Sequence, residues 1–151
     1  MEPVVEIGAP VAGSVVPLDQ VRDPAFATGA LGTGAGILPA DGRILAPLAG
    51  RATVVMPHAY GISTEDGLEL LIHVGIDTVN LRGAHFTVHI RQGQQLEVGD
   101  PLCEVDLAAL ASAGIDPTVM VVVTAAPGRT AVVPIPRQSA AVGDALIAVI
   151  R

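Results

Sequence analysis

The chain has 151 residues and a formal net charge of -7, and its eight basic residues are all arginines. This length predicts one domain, residues 1–151, whose core needs no disulfide or metal to be stable. The acidic balance argues against nucleic acid and anionic membrane surfaces as partners, because both attract clustered basic side chains.

Short strands are the main predicted elements. Seventeen glycines and twelve prolines divide the sequence into apolar runs that are short for helices and typical of strands. The predicted strands contain, in chain order, residues 4–5, 14–16, 44–45, 52–55, 68–73, 118–124 and 145–149. A helix is expected between the acidic start at Asp106 and the glycine stop at Gly114. The sequence therefore predicts an all-β fold, an antiparallel sandwich or barrel with one or two short helices.

Membrane insertion and disulfide bonding are not expected. The amino-terminal residues 1–6 lack the pattern of a secretory signal, and no later run is apolar for the length of a membrane span. A single cysteine, Cys103, lies in a strand-like run and excludes an intrachain disulfide. These features favour a reducing, cytoplasmic location.

Two short patterns each occur twice in the sequence. Residues 9–13, APVAG, return as residues 46–50, APLAG, and residues 98–102, VGDPL, return as residues 142–146, VGDAL. The glycine in each pattern permits backbone angles that a β-carbon disfavours. We interpret the pairs as matching turns of a duplicated half-motif; the alternative is coincidence in a sequence rich in alanine, glycine and valine.

Two histidines, His58 and His73, flank a predicted hairpin. The turn signal Thr64-Glu65-Asp66-Gly67 suggests a two-residue loop, which pairs residues whose numbers add to 131. Since 58 and 73 also add to 131, we expect the imidazoles to face each other as one cross-strand pair, unless Gly61 marks a bulge.

Such a pair fits three kinds of site. The histidines could be core residues with satisfied hydrogen bonds, or metal ligands, or a nucleophile with its helper. A zinc site is weakly supported, because no third ligand lies at a metal-motif spacing and a partner protein would have to complete it. A nucleophile needs an unprotonated ring nitrogen, and residues 74–77 offer a glycine beside His73 and apolar neighbours that keep the ring neutral.

The sequence around these histidines resembles a known family. Residues 71–81, LIHVGIDTVNL, are similar to the signature around the phosphorylated histidine of glucose-type IIA domains of the bacterial sugar phosphotransferase system. Residues 58–62, HAYGI, resemble the segment that holds the second active-site histidine of that family. The similarity continues through residues 93–100 and both Ala-Pro motifs, and it extends from Val5 to Ile150.

The resemblance implies an antiparallel β-sandwich with a shallow active site and a phosphocarrier function. His73 would accept a phosphoryl group from the carrier protein HPr, through the ring nitrogen farther from the backbone, and pass it to a sugar-specific IIB domain. His58 would bond a phosphoryl oxygen. No resident cofactor or metal is expected, and the sequence does not identify the sugar. The alternative function is a regulatory module that docks on permeases or metabolic enzymes when unphosphorylated.

Further residues are expected to contact partner proteins. Asp77 suits a basic partner, although it could instead cap a turn. An apolar rim is expected from four residues that could equally be ordinary core: Leu31, in a glycine-rich loop over residues 29–36, together with Leu71, Val74 and Val79. His85 and His89 are interpreted as surface residues, because the sequence between them does not favour the helix that a metal site would need. Met56 stands where the family commonly has threonine and cannot hydrogen-bond in the same way.

Overall fold

A computed structural model describes residues 4–150, which form fourteen strands, two short α-helices and two 3-10 turns. The helices are α1 (Pro24–Ala27) and α2 (Leu107–Ser112), and the 3-10 turns span Leu18–Gln20 and Thr78–Leu81. The strands are β1 (Val4–Gly8), β2 (Gly13–Pro17), β3 (Thr33–Pro39), β4 (Arg43–Leu45), β5 (Gly50–Met56), β6 (Ala59–Ser63), β7 (Glu69–Val74), β8 (Phe86–Val88), β9 (Gln95–Leu96), β10 (Pro101–Val105), β11 (Val119–Ala125), β12 (Ala131–Pro134), β13 (Ser139–Ala140) and β14 (Ala145–Ile150).

The strands build an antiparallel β-sandwich, as predicted. One sheet has eight strands in the order β13-β2-β3-β11-β7-β6-β5-β9, and two three-stranded sheets have the orders β1-β14-β12 and β4-β10-β8. The inward faces of all three sheets share one aliphatic core. In the first small sheet, Val4 lies opposite Ile150. None of the helices within residues 4–150 is long and apolar enough to cross a membrane.

The central strand β11 is buried on both faces. Val119, Val121 and Val123 point into the main core, whereas Met120 and Val122 belong to a second cluster on the other side of the sheet. Residues 18–28 cover that outer side, where Val21 and Phe26 complete the second cluster. A strand that is covered on both faces needs no alternation of apolar and polar residues, which explains the continuous apolar run of β11.

The duplicated half-motif is confirmed by repeated backbone hydrogen bonds. The amide of Ala9 donates to Asp144 (2.8 Å) and its carbonyl accepts from Gly143 (3.0 Å). The equivalent residue Ala46 makes the same two bonds with the turn at residues 98–102, through Asp100 and Gly99, both at 2.8 Å. Each Ala-Pro segment therefore makes the same pair of bonds with one Val-Gly-Asp turn, the first segment with the later turn and the second segment with the earlier turn.

The glycine-rich segment 29–36 is a loop only in its first part. Thr33 to Gly36 lie in β3, so the prediction of a loop over the whole segment was wrong. Glycine occurs in this strand for a steric reason. A β-carbon at Gly34 would lie 1.8 Å from the carbonyl oxygen of Val121 on β11. Glycine here permits close strand packing and does not signal a turn.

The helix expected between Asp106 and Gly114 is present as α2. The Asp106 carboxylate accepts a hydrogen bond from the amide of Ala109 (3.0 Å), which caps the first turn. Gly114, with a φ of +73°, follows the helix end. The second helix, α1, begins after Asp23, whose side chain caps the amide of Ala25.

Candidate active site

His73 lies near the end of β7, on the outer face of the eight-stranded sheet. Its neighbours across the ladders are Ala59 on β6 and Met120 on β11. The Nδ1 atom of His73 is 2.8 Å from the carbonyl oxygen of Gly75. A carbonyl can only accept, so Nδ1 carries the proton and Nε2 keeps its lone pair.

A tight turn after β7 places the Gly75 carbonyl. The buried hydroxyl of Thr78 donates to the carbonyl of Val74 (2.6 Å) and lies 3.3 Å from the oxygen of Gly75. Gly75 has a φ of +81°, and a β-carbon there would lie 2.4 Å from Cγ2 of Thr78. Thr78 is thus a positioning residue that the sequence analysis missed, although a polar residue in an apolar signature was a visible signal.

We expect Gly75→Ala to lower stability more than Gly93→Ala does. Both glycines have a φ near +90°, so each alanine carries the left-handed backbone cost of about 1–3 kcal/mol. Only Gly75 also has a neighbour in the way, since nothing lies within 4 Å of a β-carbon at Gly93. Crowding of this kind commonly adds about 1–3 kcal/mol. Urea unfolding of the two variants measures the difference, and equal losses would refute the crowding argument.

His58 lies in the two-residue loop that joins β5 to β6, not in a strand. Its ring centroid is 5.1 Å from that of His73, and the two rings meet edge to face at 74°. Because a loop residue is not bound by strand alternation, its side chain can reach the face on which His73 lies. The two imidazoles therefore meet, as expected.

The predicted pairing of these histidines was nevertheless wrong by one residue. His73 lies opposite Ala59, and Ser63 lies opposite Glu69. The β6–β7 loop has one residue more than expected, because Thr64 and Leu68 are still hydrogen-bonded (2.9 Å). Gly67 is the third loop residue, with a φ of +89°. Such loops close with glycine in the left-handed region, and the extra residue shifts the register.

The environment keeps both imidazoles neutral near pH 7. Burial lowers the pKa of His58 below its ordinary value. Burial also lowers the pKa of His73, and the neighbouring charge of His58 adds to that effect. The hydrogen bond to Gly75 and the carboxylates of Asp23 and Asp77 raise the pKa of His73, but they do not outweigh the lowering. A neutral His73 with a free Nε2 is a nucleophile.

An aromatic ring packs against His73. The centroid of Phe26, in α1, lies 5.2 Å from that of His73, with the planes tilted by 59°. Phe26 is buried in the second cluster, beside Met120 and Val122. This contact was not predicted, because Phe26 is far from His73 along the chain. The Asp-Pro start of α1 was a visible helix signal, but it says nothing about what the helix packs on.

The residues expected at the rim occupy different environments. Leu31 is 40% exposed and Val79 is 56% exposed, while Leu71 is half-buried against the second cluster. Val74 is fully buried in the main core, because strand alternation turns it away from His73. Its assignment to the exposed rim is therefore corrected.

Asp77 is exposed and has a φ of +59°. It precedes the turn at Thr78–Leu81, but its side chain makes no capping hydrogen bond there. The capping explanation therefore lacks the bond that it requires. The carboxylate faces solvent beside the histidine pair.

His85, His89 and Cys103 lie in other parts of the structure. Nε2 of His89 lies 3.0 Å from Oε2 of Glu104, within hydrogen-bond distance, and both His85 and His89 flank β8, not a helix. Burial raises the pKa of Cys103 to about 11. Across residues 4–150, no group of three or more histidine, cysteine or carboxylate side chains is arranged to hold a metal ion.

Comparison with known proteins identifies one family that the chain matches. The family model of the phosphoenolpyruvate-dependent sugar phosphotransferase system, EIIA 1, matches residues 5–127. The chain is 43% identical over 120 residues to a glucose-specific EIIA component from Halalkalibacterium halodurans, covering 78% of this chain and 69% of that protein. It is also 47% identical over 121 residues to a beta-glucoside-specific EIIBCA component of the same organism, covering 79% of this chain and 19% of that protein.

A solved structure has the same fold. Glucose permease IIA from Mycoplasma capricolum superposes with a TM-score of 0.88 at 32% identity, covering 97% of this chain and 96% of that one. The chain thus spans about a fifth of the length of the multidomain relatives that it matches. It spans nearly all of this structurally similar domain.

Proposed function

The chain belongs to the EIIA 1 family of the phosphoenolpyruvate-dependent sugar phosphotransferase system, and we propose that it carries a phosphoryl group on Nε2 of His73. One observation supports this above all: the bond from Nδ1 to the Gly75 carbonyl leaves Nε2 unprotonated, next to a second imidazole. No separate general base is then required to create the nucleophile.

The transfer that we propose needs only the atoms of two imidazoles and one phosphoryl group. The lone pair of His73 Nε2 forms a bond to phosphorus, and the bond from phosphorus to the donor histidine breaks. The donor nitrogen regains its lone pair, and Nδ1 of His73 keeps its proton throughout. The reverse pattern passes the group to the next protein. Positioning and charge stabilisation are the main demands on the protein in such transfers.

His58 is proposed to stabilise the charge of the phosphoryl oxygens. Its ring meets His73 at 5.1 Å, close enough to reach a group on Nε2. Burial lowers the pKa of His58 in the free protein, so its ring is neutral before the phosphoryl group arrives. An adjacent dianion raises the pKa of an imidazole, which strengthens the bond that His58 donates.

The proposed partners are the phosphorylated carrier protein HPr as donor and a sugar-specific IIB domain as acceptor. Several relatives join B, C and A components in one chain, which supports a IIB partner. Exposed Leu31 and Val79 together with Asp77 offer apolar contact and negative charge for a basic partner. Relatives are named for glucose, beta-glucosides and raffinose, so we propose that other components of the system determine which sugar is transported. We extend the proposal to a cytoplasmic location, which a chain with one unpaired cysteine suits.

Phosphorylation of the wild-type protein tests the proposal. We expect phosphoenolpyruvate and the two general phosphotransferase proteins to add one acid-labile phosphoryl group. The ³¹P and ¹⁵N spectra should assign it to Nε2 of His73, because Nδ1 is engaged by Gly75. A label on Nδ1, or on His58, His85 or His89, would contradict the proposal.

A further inference from the structure

The two site histidines are held in different ways. The ring of His73 is fixed by its hydrogen bond to the Gly75 carbonyl. No comparable bond to the ring of His58 is found within residues 4–150, where its contact is the edge-to-face packing on His73. The backbone of the loop that carries His58 therefore fixes the point and direction from which that ring extends, and the packing on His73 limits its rotation.

A buried tyrosine holds this loop from inside the sandwich. The hydroxyl of Tyr60 donates to the carbonyl oxygen of Pro57 at 2.8 Å. Pro57 directly precedes His58, and the two form the whole loop between β5 and β6. Tyr60 is fully buried in the main core, and it is the only tyrosine of the chain.

The buried phenol resists any displacement of the loop. Burial raises the pKa of Tyr60 far above its ordinary value, with the Cys103 side chain as a neighbour. A thiol is a weak hydrogen-bond partner. If the Pro57 carbonyl moved away, the buried hydroxyl would lose its hydrogen bond, and a buried polar group without a good partner is costly. The loop thus has one favoured position.

We infer that Tyr60 is a positioning residue that aims His58 at the phosphoryl group, acting through the Pro57 carbonyl. This role rests on the proposed function, because it concerns the reaction in which His58 stabilises transferred charge. The role is indirect, because Tyr60 is buried in the main core, whereas His73 lies on the outer face of the sheet. The effect should appear in the step that depends on His58 and not in the loading of His73.

Tyr60→Phe tests this role with little change of volume. We expect acceptance onto His73 to stay within about twofold of the wild type, and onward transfer to a IIB domain to fall about tenfold. A tenfold loss corresponds to the net contribution of one hydrogen bond. The ¹H and ¹³C signals of the His58 ring should shift, while those of His85 should not.

Cys103→Ala is the matched control. It removes the neighbour of Tyr60 in the same core but leaves the bond from Tyr60 to Pro57 intact. We expect this variant to keep the onward rate and the His58 signals, whatever its stability. Equal slowing in both variants would identify a general packing effect and overturn the inference, as would unchanged His58 signals and rates in Tyr60→Phe.

The two proposals fail in different ways. If the wild-type protein does not take the label on His73, the proposed function is wrong, whereas the His58 signals of Tyr60→Phe still report whether the loop is held as inferred. If Tyr60→Phe does not fold, the hydroxyl proton of Tyr60 in the wild-type protein provides the test. We expect it to exchange slowly and to couple to the Pro57 carbonyl, and rapid exchange would refute the hydrogen bond.

Discussion

Replacing His73 with alanine is expected to abolish phosphorylation of this chain by phosphoenolpyruvate and the general phosphotransferase proteins. The variant lacks the nitrogen proposed to receive phosphorus. Within residues 4–150, no carbonyl accepts a hydrogen bond from the ring of His58 and fixes its tautomer as Gly75 does for His73. Radiolabelled phosphoenolpyruvate followed by gel analysis measures the loss directly. The expected residual label is indistinguishable from that of a reaction without the chain.

Two other histidines provide controls for this experiment. His85→Ala and His89→Ala alter residues that flank β8, and both variants should be labelled like the wild type. His73→Ala should also retain its fold, because the side chain lies on the outer face of the sheet and not in the main core. Persistent labelling of a folded His73→Ala protein would show that another residue carries the phosphoryl group.

The same variant separates a carrier from a regulatory docking module. A module that works only by binding should still bind its partner when His73 is alanine. A carrier should lose transfer even where binding persists. Titration calorimetry with a permease or metabolic enzyme, compared with the labelling result, distinguishes the two.

Replacing His58 with glutamine is expected to affect the two half-reactions unequally. Loading of His73 requires the nucleophile, which this change leaves in place. Onward transfer requires a donor for the negative charge that develops on the phosphoryl oxygens, and losing such a donor commonly costs about 10²–10³ in rate. Glutamine can donate a hydrogen bond over a similar distance but cannot become cationic. The substitution therefore tests whether a positive charge at residue 58 is needed. Rapid-quench kinetics of loading and of transfer to a IIB domain measures the asymmetry.

Met56→Leu provides the matched control for that variant. Met56 ends β5, immediately before the loop, and is 49% exposed. The change alters a neighbour of His58 without altering any imidazole, so both half-reactions should proceed at wild-type rates. If His58→Gln slowed loading and onward transfer by the same factor, His58 would be a folding or spacing residue instead.

Most of the architecture could be predicted from local sequence signals. The glycines and prolines between apolar runs predicted the short strands, and the paired Ala-Pro and Val-Gly-Asp motifs predicted the duplicated half-motif. The errors have local physical causes. Gly67 takes a left-handed conformation that adds a residue to a hairpin loop, and Gly34 allows a strand to pack closely where the sequence looks like a loop. Neither effect can be read from composition, because the same glycine suits a turn and a crowded strand.

The site could be predicted only in part. His73 and its glycine follow from the signature, because those residues are adjacent in sequence. Phe26 and Tyr60 do not, since their contacts depend on how distant segments and a buried hydroxyl meet the site. Val74 was misplaced because a strand residue beside His73 in sequence lies on the opposite face of the sheet. Sequence proximity thus served better to select the proposed nucleophile than to predict the residues around it.

The antiparallel pairing of β1 with β14 places Val4 opposite Ile150, at the same end of their sheet. A linker to another domain would therefore leave from one place, whether it joined the chain at its beginning or at its end. Tethering of this kind replaces free diffusion between partners with an effective concentration on the order of millimolar for a short flexible linker. The order of components in a fused polypeptide can then change without moving the point at which the linker leaves this domain. A circular permutant closed between these ends should fold.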